Sequence, residues 1–136
     1  MTNPSAGRAL FRSIITLIGG FAIYTFLLML LGIVVAVVFS VMPGTPIAIY
    51  LLGSLTVSLV AAAGGGYAAA ALAPNRPYAH ANVTGVMVLL SSINGIVHPP
   101  AGPPAWYPYI LAAVGTLGAI GGGLLRRPKT STVPIP

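Results

Sequence analysis

The sequence contains no aspartate, no glutamate and no cysteine among its 136 residues. Each absence removes a class of chemistry. Without carboxylic side chains there is no acid pair for glycoside-type hydrolysis. A serine–histidine–carboxylate triad lacks its third member, and no oxygen-rich calcium loop can form. The intramembrane carboxylate that many proton and sodium carriers use is absent as well. Without cysteine there is no disulfide, no thiolate nucleophile and no iron–sulfur ligand, and the redox compartment is left open. Charge of either sign is scarce: 4% of residues are charged, against about 25% in a soluble domain.

What is present is apolar. Hydrophobic residues make up 57% of the chain, and the mean hydropathy is +0.97. Such a chain cannot cover a water-facing surface. It reads as one all-α integral membrane domain, because a helix satisfies its own backbone polar groups in lipid. Four apolar runs fall at about 13–42, 46–72, 77–97 and 106–125, followed by a polar tail over 126–136. The first is too long for a signal peptide. It also exceeds what a hydrocarbon core of about 30 Å requires, which predicts tilting, bending near Gly19-Gly20 or protrusion. "PGTP" (43–46), "APNRP" (73–77) and "HPPAGPPA" (98–105) separate the runs. Pro77 suits the first turn of a helix, where its missing N–H costs nothing.

The six basic residues sort to one side of this arrangement. Arg8 and Arg12 precede the first span, Arg76 joins the second and third, and Arg126, Arg127 and Lys129 follow the fourth. They read as topology signals rather than a nucleic-acid footprint, and place both termini in the cytoplasm. Trp106, Tyr107 and Tyr109 at one boundary, and Tyr67 and Tyr78 at the other, fit interfacial aromatic belts.

A shift of 57 residues superposes part of the second half on the first, with 9 identities in the 24 positions from 43 to 66. Pro43, Pro46, Ala48, Tyr50, Val57 and Ala62 meet Pro100, Pro103, Ala105, Tyr107, Val114 and Ala119, and Gly64, Gly65 and Gly66 meet Gly121, Gly122 and Gly123. Two tandem helical hairpins related by an axis along the membrane normal are expected. The glycine triplets have no preceding strand and no lysine in register, so a phosphate loop is the poorer reading. Helix association accounts for them better, because small residues let backbones approach closely in lipid. Gly118 and Gly122 form a GxxxG pair, and Ala61, Gly65 and Ala69 a small-xxx-small row.

On the third span, His80, Thr84, Met87, Ser91, Asn94 and His98 lie within about 80° of helical arc. A polar stripe in lipid needs partners. Hydrogen bonds from Thr16, Thr25, Ser54, Thr56, Ser58 and Thr116 on the other spans are the plain expectation. A ligand, a cavity or a second subunit facing Thr84, Ser91 and Asn94 is the sharper one. His80 and His98 are the residues able to ligate haem iron or the magnesium of a chlorophyll. They lie 18 residues apart, roughly 27 Å along a helix, so they cannot share one site, and the expectation is that no cofactor or metal is bound. The "HPPAGPPAWYPY" loop favours a stiff, extended backbone, which suits either a rigid cap or a docking surface. The basic part of the tail suits anionic headgroups.

The stretch "GGGYAAAALAPNRPYAHA" (64–81) resembles a pattern found in small bacterial four-helix membrane proteins: Gly-Gly-Tyr, small residues, a short basic turn, Arg-Pro, then His-Ala opening the next helix. "PAWYPYILAAVGTLGAIGGGLLRR" (104–127) is similar to a second part of it. The resemblance implies four spans in a bacterial cytoplasmic membrane and no particular activity. The expected function is therefore non-catalytic: a small accessory or scaffold subunit of a larger membrane complex, for example respiratory or photosynthetic. The expected partners are lipids, other subunits or copies of the chain itself. Two alternatives stay open, a pore or carrier for a small neutral solute and a pigment- or haem-binding subunit.

Overall fold

The structure is a computed structural model that describes residues 4–42, 44, 46–73, 75–99 and 102–126. It is all-helical: α1 spans Pro4–Val41, α2 Ile47–Leu72, α3 Pro77–Val97 and α4 Tyr107–Leu124. All four are long and apolar enough to cross a membrane. α3 coincides with its expected run, and α2 and α4 lie within a residue of theirs. α1 differs, beginning at Pro4 and continuing through Gly19-Gly20 without interruption. At 38 residues it is about 57 Å long, so it protrudes beyond a single bilayer core.

Proline sets the entries to the later helices. Pro46 caps α2 in an extended conformation, Pro77 opens α3, and Pro108 occupies the first turn of α4. Arg76 turns the chain between α2 and α3 with a left-handed φ of 50°. Consecutive helices run antiparallel, so α2 and α4 run parallel. We call the end that carries Arg12, Arg76 and Arg126 the basic end, and the other the loop end.

Few large side chains lie inside. The buried core joins Tyr24 of α1, Ala61 and Ala62 of α2, Val88 of α3 and Ala119 of α4, with Phe21, Leu27 and Leu28 packed against it. Isoleucines, leucines and phenylalanines are mostly on the outside. This inverts the soluble pattern, as expected where lipid is as apolar as leucine and association depends on close contact.

The glycine triplets make that contact, but residue by residue they serve different neighbours. A methyl group built on Gly66 would collide with the Ala119 carbonyl, and one on Gly122 with the Ala63 carbonyl. These two positions bring the α2 and α4 backbones together. Gly118 adds to the same seam, where a methyl would lie 2.9 Å from the Leu59 carbonyl oxygen. Gly64 and Gly65 face α1 instead, against Leu27 and Tyr24, each at 2.6 Å from such a methyl, and Gly123 faces Ala81 of α3. Gly121 departs from the expected packing role: nothing lies within 4 Å of a methyl there. Three successive helical residues point in directions 100° apart, so a triplet cannot present one face. Gly20 packs on Ala69, with 2.6 Å between the built methyl and the Ala69 Cβ, whereas a methyl on Gly19 would meet only Leu72 Cδ1 at 3.8 Å, so Gly20 alone of the α1 pair is a close contact point.

This gives a test within one triplet. Gly122→Ala should destabilise the protein in detergent by at least the roughly 1–3 kcal/mol of an overpacked core. Gly121→Ala should be neutral or stabilising, by up to about 1 kcal/mol of helix propensity. Thermal unfolding of the two variants checks this; equal midpoints would refute the packing assignment.

Candidate functional site: a hydroxyl-lined cleft

α2 touches all three other helices, whereas the α1 and α4 backbones do not approach one another among the described residues. The gap between α1 and α4 opens toward the loop end. It holds a cavity of about 410 Å³ lined by Phe21, Tyr24, Thr25 and Leu28 of α1, Ser58 of α2, Ser91 and Ser92 of α3 and Leu111 of α4. A second cavity, of about 210 Å³, lies beside it between α1, α2 and α4 and shares Leu28 and Leu111. Gly32, Tyr50, Ser54 and Tyr107 contribute to its wall. The first cavity alone falls in the range typical of small-molecule sites, about 300–1,000 Å³.

The cleft is apolar with a band of hydroxyls at mid-span. The Tyr24 and Ser91 hydroxyls both face the cleft. Ser91 donates to the Val88 carbonyl at 2.7 Å. Ser92 also donates to Val88, at 2.9 Å. Thr25 donates to Phe21 at 3.0 Å and Ser54 to Tyr50 at 2.9 Å. Most hydroxyls here therefore return to a carbonyl three or four residues back on their own helix. Thr56, Thr84 and Thr116 do the same, to Leu52, His80 and Ala112. The expected network across helices is thus largely replaced by local bonds. Among the described residues its exception is Thr16, whose one O–H is shared between the Arg12 carbonyl on its own helix, at 2.9 Å, and the Leu72 carbonyl of α2, at 3.3 Å.

The polar stripe of the third span is divided by this packing. Thr84 is fully buried in the core. Ser91 lines the cleft. Asn94 is exposed near the end of α3 and lines neither cavity of the cleft. His80 is half-buried, with Nδ1 at 3.2 Å from the Arg76 carbonyl oxygen; the tautomer that donates there leaves Nε2 with a free lone pair. His98 is exposed, and neither histidine reaches the cleft. Tyr24 and Ser92 are the hydroxyl-bearing site residues that sequence reasoning passed over. Ser58 was named among the hydroxyls of α2, but only the folded arrangement brings it to the cleft wall, beside Gly115 of α4, and Tyr24 lay unmarked inside a continuous apolar run.

Thr16→Val should cost about 0.6–1 kcal/mol, the worth of one interhelical hydrogen bond in a membrane protein. Denaturant unfolding in mixed micelles measures this, and an unchanged midpoint would show that the bond to Leu72 contributes nothing. Comparison with protein-family models, with curated proteins and with solved structures finds no match for this chain.

Proposed function

We propose that this protein is a non-catalytic, small accessory or scaffold subunit that works by association inside a membrane, in a larger membrane complex, for example a respiratory or photosynthetic one. The observation that carries the reading is the open flank between α1 and α4. α1 engages the bundle through a narrow stripe in which Thr16, Gly20 and Tyr24 are buried. Its backbone does not approach that of α4 among the described residues, and the cleft lies between them. A group seated there would complete the contact between α1 and α4 that the single chain lacks. The absence of aspartate, glutamate and cysteine from the sequence supports a binding role over catalysis.

A second reading, a carrier or binder of a small neutral molecule, is favoured by the hydroxyl band at mid-span. A through-pore in the single chain has less support, because the α2–α4 seam leaves no room for a methyl group, let alone water. What supports a haem- or chlorophyll-binding role is His80, whose Nε2 is left as an acceptor in the tautomer that donates from Nδ1 to Arg76, at a place apart from the cleft.

The two-hairpin repeat belongs to this proposal, and contact register supports it. In the first hairpin Tyr24 faces Gly65 and Leu27 faces Gly64. In the second, Ala81 faces Gly123 and Gly85 faces Ile120. Moved back by 57, Ala81 and Gly123 fall on Tyr24 and Gly66, and Gly85 and Ile120 on Leu28 and Ala63, within one residue of the first hairpin's pairs. The likeness to small bacterial four-helix proteins and a cytoplasmic position for the basic end, in a bacterial inner membrane, complete the proposal.

Two measurements test it. Native electrophoresis in mild detergent, with mass spectrometry of the band, should show the chain co-migrating with other membrane subunits; a single low-mass species without a partner would overturn the accessory role. Because the chain has no cysteine of its own, Gly7→Cys and Ala105→Cys give clean topology probes. A membrane-impermeant thiol reagent applied to intact cells should label Ala105→Cys and spare Gly7→Cys; the reverse pattern would invert the topology.

A further inference from the structure

At the basic end a different groove runs between α1 and α2. It has a volume of about 490 Å³ and is lined by Arg12, Ile15, Thr16, Gly19 and Leu72. Arg12 stands at its mouth, exposed, and Arg8 lies four residues earlier on the same helix face, also exposed. From Arg12 the groove passes along the apolar flanks of Ile15 and Leu72. Its floor is kept low by Gly19, where a methyl group would meet only Leu72 Cδ1, at 3.8 Å.

A guanidinium at a membrane boundary favours an anionic partner, and none is available from side chains of this protein, since the sequence has no aspartate or glutamate. The Thr16 hydroxyl in the same groove is spent on the Arg12 and Leu72 carbonyls, so it does not compete for the anion. Arg126, at the same end, already donates to the Ala70 carbonyl, at the close of α2. Arg8 and Arg12 are thus left facing the headgroup layer beside an apolar channel. A bare anion would use only the arginines. A molecule with an anionic head and a long apolar chain would use both the arginines and the channel.

We propose that this groove is a binding site for one anionic phospholipid, its phosphate held by Arg12 with Arg8 beside it and one acyl chain lying along Ile15, Gly19 and Leu72. Guanidinium groups bind phosphate oxygens in a planar, two-pronged geometry, and the fork of Arg12 has the exposure that this requires. The site lies at the opposite end from the cleft and is independent of it. It would fasten α1 to α2 where the helix emerges from the bundle.

The test uses the purified full-length protein in mild detergent, with phosphatidylglycerol, phosphatidylcholine or inorganic phosphate as the probe. Native mass spectrometry should retain one phosphatidylglycerol per chain in preference to phosphatidylcholine. Arg12→Gln should weaken this about fivefold, the effect of one basic residue at an anionic membrane surface. Gly19→Leu, which fills the channel and leaves the arginines in place, should weaken it as well. Both variants should keep the wild-type thermal midpoint without added lipid, which separates lost binding from lost folding. Equal retention of the two lipids would overturn the proposal. So would wild-type retention of phosphatidylglycerol by both variants, or stabilisation by inorganic phosphate equal to that by the lipid.

Discussion

The approach of the α2 and α4 backbones is the contact on which the rest of the arrangement depends. In water a four-helix bundle is drawn together by burying large apolar side chains; in lipid that incentive is missing, and dispersion at short range has to replace it. Dispersion falls off steeply with distance, so the gain comes only where a carbonyl can rest on a Cα with no Cβ between them. Gly66 beneath the Ala119 carbonyl and Gly122 beneath the Ala63 carbonyl provide two such places. With that seam set, the glycines on either side of it fall into use by geometry. Gly65 turns to Tyr24 of α1, and Gly123 turns to Ala81 of α3. One short glycine-rich turn on each parallel helix thereby positions all four.

The same logic governs the polar groups. A hydroxyl in hydrocarbon must find an acceptor, and the nearest one is always the carbonyl one turn back on its own helix. This satisfies Thr25, Ser54, Thr56, Thr84 and Thr116 without constraining how the helices meet. Among the described residues, specific interhelical direction from hydroxyls then comes from one contact, in which Thr16 ties α1 to the end of α2. It belongs to α1, the helix with the fewest close backbone contacts and the greatest need of another means of location.

Much of the architecture was legible in the chain because its cues are local. Proline clusters mark where helices stop, and the length of each apolar run sets the span. The start of α1 was not legible from hydropathy, since the helix continues into "PSAGRALFR", where the composition turns polar but nothing breaks the hydrogen-bond ladder. The direction in which each glycine points was also hidden. It depends on which neighbour sits at each 100° of arc, and that is fixed by the assembled bundle, so Gly121 could not be told from Gly122 beforehand. The polar stripe of α3 misled for a related reason. Its members share a face in projection, yet they are spread along the helix, and depth decides their fate: Thr84 falls in the core, Ser91 at the cleft and Asn94 near the exposed end. Tyr24 carried no periodic signal at all, being one aromatic in a long apolar run.

The distribution of bulk over α1 bears on what the cleft is for. Its outward residues, among them Ile18, Phe26, Met29, Leu30 and Ile33, are large and exposed. Large flexible side chains suit contact with lipid, whereas tight helix seats in membranes are built from small residues. The outer face of α1 is therefore a poor seat for another helix. The inner side near the loop end differs: Gly32 has open space where a methyl would be, and it borders the hydroxyl-bearing walls of Ser54, Tyr50 and Tyr107. Small residues, unfilled volume and polar atoms meet there, as they also do at the groove around Gly19 near the basic end. For a partner helix, as distinct from the lipid at the basic end, the seat α1 offers is the side that faces α4, and the separation of these two helices is the feature on which that recognition turns.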